Sequence, residues 1–92
     1  MKKSGDSWMF KICYAKGVVK DLKRISPDQL VSIKEGIEDL ETFPDISQIK
    51  RLKNHPVAEY RLRIGNYRVL FDVSWEEQKI HVLKIGHRRN IY

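Results

Sequence analysis

The stretch Tyr60-Arg61-Leu62-Arg63-Ile64-Gly65-Asn66-Tyr67-Arg68-Val69-Leu70-Phe71-Asp72-Val73 alternates apolar and polar residues on both sides of a Gly-Asn pair. Period-two alternation marks a half-buried strand, and a two-residue connection containing Gly and Asn is a strong hairpin signal. A two-residue loop places Ile64 opposite Tyr67, Arg63 opposite Arg68, Leu62 opposite Val69 and Arg61 opposite Leu70. One face then collects Tyr60, Leu62, Ile64, Tyr67, Val69, Phe71 and Val73 and is the expected core face. The other carries Arg61, Arg63 and Arg68, with two guanidinium groups directly across from each other. Like charges so placed destabilise a sheet. An anion bridging them removes the penalty, and a phosphodiester suits the guanidinium fork, which binds its oxygens bidentately. The competing reading is a solvated charged face with Asp72 neutralising one arginine.

Downstream of the hairpin, residues 75–79 read as a second turn and residues 80–85 as a last strand. Gly86 then opens the tail His87-Arg88-Arg89-Asn90-Ile91-Tyr92. The tail is close enough to fold over the end of the arginine face, and its residue types can clamp phosphate, move protons and stack on a base. Upstream, residues 8–14 read as a strand with Phe10, Ile12 and Tyr14 on one side. Residues 16–25 carry Val18, Val19, Leu22 and Ile25 at helical spacing. Ser26-Pro27-Asp28-Gln29 is a helix start, with Ser as N-cap, Pro at the first helical position and Gln placed for a capping box. Leu30, Ile33, Ile37 and Leu40 form the stripe of this second helix, which Phe43-Pro44 ends. Residues 45–56 are irregular and basic, a loop with room for a short strand. The order βααβββ predicts an α+β domain with a two-helix hairpin on one face of an antiparallel sheet of about four strands.

Ninety-two residues allow one domain, and 41% hydrophobic residues supply a core that needs neither metal nor disulfide. We expect residues 1–7, polar and lacking an apolar signal-peptide core, to be a flexible lead and residues 8–92 the domain. The net charge of +6 attracts polyanions, whether nucleic acid, an acidic protein or an anionic membrane. No apolar run approaches the roughly 20 residues that span a bilayer, so a membrane is the weakest of these and a cytoplasmic location is expected. Cys13 is the only cysteine, which excludes an internal disulfide and a cysteine-based metal site, and its apolar strand suggests an inert thiol. His55, His81 and His87 lack metal-ligand spacing. No metal and no cofactor are expected.

The run from Tyr60 through Phe71, taken with Ile85-Gly86-His87-Arg88-Arg89-Asn90-Ile91-Tyr92, resembles the RelE/ParE toxin superfamily on its RelE side. The likeness covers nearly the whole chain, including Tyr14-Ala15-Lys16, Asp21-Leu22 and Leu52-Lys53. It implies a toxin of a type II toxin–antitoxin system, an mRNA endonuclease working in the ribosomal A site and silenced by a small antitoxin. Carried over by position, it implies catalytic roles for Arg61, Arg63, Arg68, Arg88 and Tyr92. Some members have lysine where this chain has Arg61 and Arg63, and many have another residue at His87. The chemistry it implies is attack of the ribose 2′-OH on the adjacent phosphate, which runs without a metal given a base, cations at the phosphorane and an acid for the leaving oxygen. Arg68 would stabilise the transition-state charge, with Arg61, Arg63 and Arg88 on flanking phosphates. His87 and Tyr92 are candidates for proton transfer, and Tyr92 also for stacking. The competing readings are that His87 only caps the strand and that Tyr92 only pins the tail. Lys50, Arg51, Lys53 and Arg89 are candidate contacts to RNA or the ribosome. Two other functions share the pattern: a ParE-like inhibitor of a topoisomerase such as gyrase, acting by protein binding, and a non-catalytic RNA-binding domain.

Overall fold

A computed structural model describes residues 9–91. The expected lead at residues 1–7 and the assignments to Trp8 and Tyr92 lie outside the described residues. The hairpin forms as the alternation demands. β3 (Tyr60–Ile64) and β4 (Tyr67–Ser74) pair antiparallel with Ile64 opposite Tyr67, Arg63 opposite Arg68, Leu62 opposite Val69 and Arg61 opposite Leu70. Gly65 takes φ +58°, the left-handed conformation that the first position of such a turn needs and that glycine adopts without steric penalty.

Around this hairpin lie β1 (Lys11–Tyr14), α1 (Lys16–Lys23), α2 (Pro27–Glu38) with a 3₁₀ turn over Asp39–Thr42, β2 (Ile49–Arg51) and β5 (Lys79–His87). They make one sheet in the order β1-β5-β4-β3-β2. The expected α+β class stands, with two differences. The irregular basic stretch contributes a fifth strand, β2, antiparallel to β3. The sheet is mixed because β1 pairs with β5 in parallel. The two helices carry the chain from one edge of the sheet to the other, so β1 ends beside the last strand.

The helices cover the predicted core face. Val18, Ile33, Ile37 and Leu40 are fully buried against Leu62, Val69, Phe71, Ile80 and Val82. Val19 departs from expectation and is 52% exposed. On a helix of eight residues Val18, Leu22 and Ile25 follow i, i+4, i+7, and Val19 sits about 100° around the axis from Val18, off that stripe. Helix α2 starts at Ser26-Pro27 as predicted, but neither capping-box bond forms at Ser26, and proline at the first turn carries the boundary. α2 lies close on the hairpin at Gly36, where a Cβ would come 2.6 Å from the Ile64 Cδ1.

Candidate functional site

The strand registers place the cations on the sheet face away from the helices in rows across the strands. Nearest the turn, Arg63, Arg68 and Gly86 lie side by side on β3, β4 and β5. In the next row Lys50, Arg61, Leu70 and Lys84 occupy β2 to β5. Beyond it come Asp72, His81 and the half-buried Cys13.

Arg68 is only 9% exposed. Its Nη1 donates to the carbonyl oxygens of Gly65 at 3.0 Å and Tyr67 at 2.9 Å, so the guanidinium is folded onto its own turn. The expected repulsion with Arg63 is thereby eased within the chain, since carbonyl dipoles stabilise one cation while exposed Arg63 stays in water. Arg61 is half-buried, and its Nε is shielded from solvent with no hydrogen-bond partner among the described residues. Such a donor costs about 1–3 kcal/mol until an acceptor reaches it. Asp72, the expected neutraliser, is otherwise engaged: its Oδ1 accepts the Glu59 amide at 2.7 Å.

That bond holds the loop before β3 against this face, where a second small core forms. Leu70 is fully buried there with Ala58 and Ile91, and Leu52 and Leu83 pack on them. Ile91 reaches it because the tail turns back after β5. The Arg88 amide donates to the Asn66 carbonyl at 2.8 Å, tying the tail to the hairpin turn. The Asn90 amide donates to the His87 carbonyl at 2.8 Å. The tail packs close to β5 here, where a Cβ at Gly86 would stand 3.4 Å from Ile91 Cδ1, an ordinary van der Waals contact. The tail does fold over the arginine face.

His87 does not join that face. It pairs with Tyr67, whose ring lies on the helix side, and the two rings meet edge to face at 5.6 Å. Its Nδ1 accepts the Arg89 amide at 3.2 Å, fixing the turn that carries Arg88. It opens instead on a groove of about 350 Å³ beside α1, with Arg24, Tyr67 and Asn90. There the Asp21 Oδ2 accepts the Ile85 amide at 3.0 Å, capping the edge of β5 beyond the end of β1. Arg88 and Arg89 are exposed. Lys50 shares the arginine face. Arg51 pairs with Tyr60 and so lies on the helix-side register, and Lys53 is in the following loop. Sequence reasoning overlooked Lys84. Its signal was a break in alternation along β5, where buried Ile80 and Val82 are followed by buried Ile85 rather than residue 84.

Among the described residues, no group of three or more His, Cys, Asp or Glu is placed to hold a metal ion. No described helix is long and apolar enough to cross a membrane.

Fold and face together define a small two-layer α+β domain with a cationic sheet surface roofed by its own basic tail. Residues 12–92 match the family of the ParE toxin of the type II toxin–antitoxin system parDE. The chain is 41% identical over 86 residues to toxin RelE1 of Methanocaldococcus jannaschii, covering 90% of this chain and 94% of that protein. Its fold is that of the toxin in the RelB-RelE antitoxin-toxin complex from Methanococcus jannaschii, at TM-score 0.68 and 31% identity over 87% of this chain and 94% of that one. The toxin-antitoxin complex RelBE2 from Mycobacterium tuberculosis contains a chain of the same fold, at TM-score 0.76 and 23% identity, over 87% of this chain and 99% of that chain. The chain belongs to the RelE/ParE superfamily and is a RelE-like toxin of the type II toxin–antitoxin class.

Proposed function

We propose that this toxin is a metal-independent endoribonuclease that cleaves mRNA in the ribosomal A site, acts in the cytoplasm and is silenced by a cognate antitoxin. The observation that carries the reading is the row of Arg63 and Arg68 under a tail that brings Arg88 to the same turn. The hairpin and the tail thus bring three arginines to the same end of the sheet. In the proposed reaction the ribose 2′-OH attacks the neighbouring phosphorus. Arg68 stabilises the charge on the pentacoordinate phosphorane, and its anchoring on the Gly65 and Tyr67 carbonyls pre-orients it, so little reorganisation is needed as charge develops. Arg61 and Arg63 hold flanking phosphates. Arg88 and Tyr92 serve the proton transfers, Tyr92 also stacking on a base. His87, on the other side of the sheet, acts by holding the turn that carries Arg88. Arg51, Lys53 and Arg89 are peripheral contacts to ribosomal RNA.

A topoisomerase inhibitor is the second reading, favoured by the ParE name of the matched family. Such a protein works by binding alone and has no use for a guanidinium held against the transition state. The deciding experiment adds purified toxin to ribosomes programmed with mRNA, in parallel with a gyrase supercoiling assay. We expect cleavage products with 2′,3′-cyclic phosphate ends, insensitivity to chelator and unaffected supercoiling. Inhibited supercoiling without cleavage would overturn the nuclease reading, and chelator-sensitive cleavage would overturn the mechanism.

A further inference from the structure

The second cationic row, set by Lys50, Arg61 and Lys84, is not needed to hold the scissile phosphate, which the first row and the tail already surround. We propose that it is a phosphate track that carries single-stranded RNA across the strands beside the cleavage position, with Lys84 as the positioning residue at its far end. The proposal rests on the nuclease reading above and extends it to a residue and a direction.

Three observations carry it. The first is the β-bulge on β5. Leu70 pairs with Lys84 but Phe71 with Val82, so Leu83 is the extra residue in the strand. Continued without the bulge, the register would set Lys84 opposite Val69 and turn it into the core, leaving Ile85 on the outer face. The bulge lets the strand carry Leu83 without turning over, so Lys84 stays exposed on the arginine face while Ile85 is buried at 2% exposure. Secondly, the three cations lie in one row of the sheet, from β2 to β5. Three strand spacings separate its ends, about 14 Å, a distance suited to a short run of nucleotides rather than a single phosphate. Between Arg61 and Lys84 the row is roofed by the second core, in which Leu70 is fully buried with Ala58 and Ile91, so the cations flank that cover. The third is Arg61 itself, whose shielded Nε has no hydrogen-bond acceptor among the described residues. A phosphate oxygen supplies what that group lacks.

The test measures binding of a nine-nucleotide 2′-O-methyl RNA, which has no free 2′-OH and cannot be cleaved by this route, as a function of salt. Lys84→Ala and Lys50→Ala are each expected to weaken binding about tenfold at low salt. Each should also reduce the slope of log affinity against log salt by about 0.7, the value for one single-strand phosphate contact. Lys34→Ala, an exposed cation on α2, is the control for general charge loss. In the ribosome assay Lys84→Ala should raise the half-saturating concentration far more than it lowers the single-turnover rate. Binding and salt slope unaltered in Lys84→Ala, or altered no more than in Lys34→Ala, would overturn the track. So would variants that lose an acidic peptide but keep the RNA, which would assign the row to a protein partner. The two readings fail separately: a wild-type chain that binds the RNA through these lysines but cleaves no mRNA keeps the track and loses the nuclease.

Discussion

Arg68 answers both to stability and to the proposed chemistry, and the two roles separate under substitution. Charged hydrogen bonds contribute about 1.5–3 kcal/mol each when formed within a protein. Arg68→Ala removes the bonds to Gly65 and Tyr67, so we expect a loss of about 3 kcal/mol by denaturant titration, the lower end for two such bonds. Single-turnover cleavage, followed where the variant is still folded, should fall by about 10²–10³, as when a transition-state donor is deleted. Arg68→Lys keeps the charge without the fork, so stability should partly return and cleavage should not. His87 is tested by its pH signature. The ring is on the helix side. His87→Ala should therefore leave the shape of the rate–pH profile intact, and a changed profile would put the imidazole back among the proton carriers. Tyr14 gives a stability effect of known sign. Burial, with the nearby Glu38 carboxylate, pushes its hydroxyl above the usual 10. The folded state thus keeps its proton longer than the unfolded chain, and this contribution, present below pH 10, is lost as the pH rises through the folded value. Tyr14→Phe should flatten the alkaline arm of the stability curve.

Secondary-structure elements differ in how closely they are packed, and substitutions should reveal it. Ile33 and Val19 are both apolar helix residues, but one is fully buried and the other half exposed. We expect Ile33→Ala to cost about 2–5 kcal/mol and Val19→Ala less than about 0.5. At Gly36 two effects oppose. Alanine gains about 1 kcal/mol of helix propensity, but its Cβ would overlap Ile64, and overpacking costs about 1–3 kcal/mol. The clash should win, leaving Gly36→Ala destabilised by about 1 kcal/mol in thermal melts. The bulge at Leu83 has a register role. Deleting Leu83 removes the bulge and leaves Lys84 opposite Leu70 and Ile85 opposite Val69, so we expect the deleted chain to keep cooperative unfolding and to lose only the packing of Leu83 on the second core.

For the molecule as a whole, the charge of +6 and the edge strand β2 suit a partner that brings acidic and apolar side chains to a strand edge. Co-expression with the adjacent reading frame should yield a complex that co-purifies at moderate salt and loses cleavage. Failure to co-purify would remove the antitoxin reading while leaving the nuclease to its own assay.

The hairpin, its register and its two faces were legible in the amino acids, because period-two alternation and a glycine-bearing turn are local and each residue there reports its own side. The helix stripe of Ile33, Ile37 and Leu40 was legible for the same reason. Three things waited on the tertiary structure. The parallel placement of β1 beside β5 depends on how far two helices carry the chain, which no local pattern encodes. Arg68's withdrawal onto the turn carbonyls depends on competition between water, Arg63 and the backbone, settled only once the turn has closed. The sides taken by His87 and Lys84 depend on counting residues along a bulged strand, and a single unpaired residue, Leu83, exchanges the faces of everything beyond it.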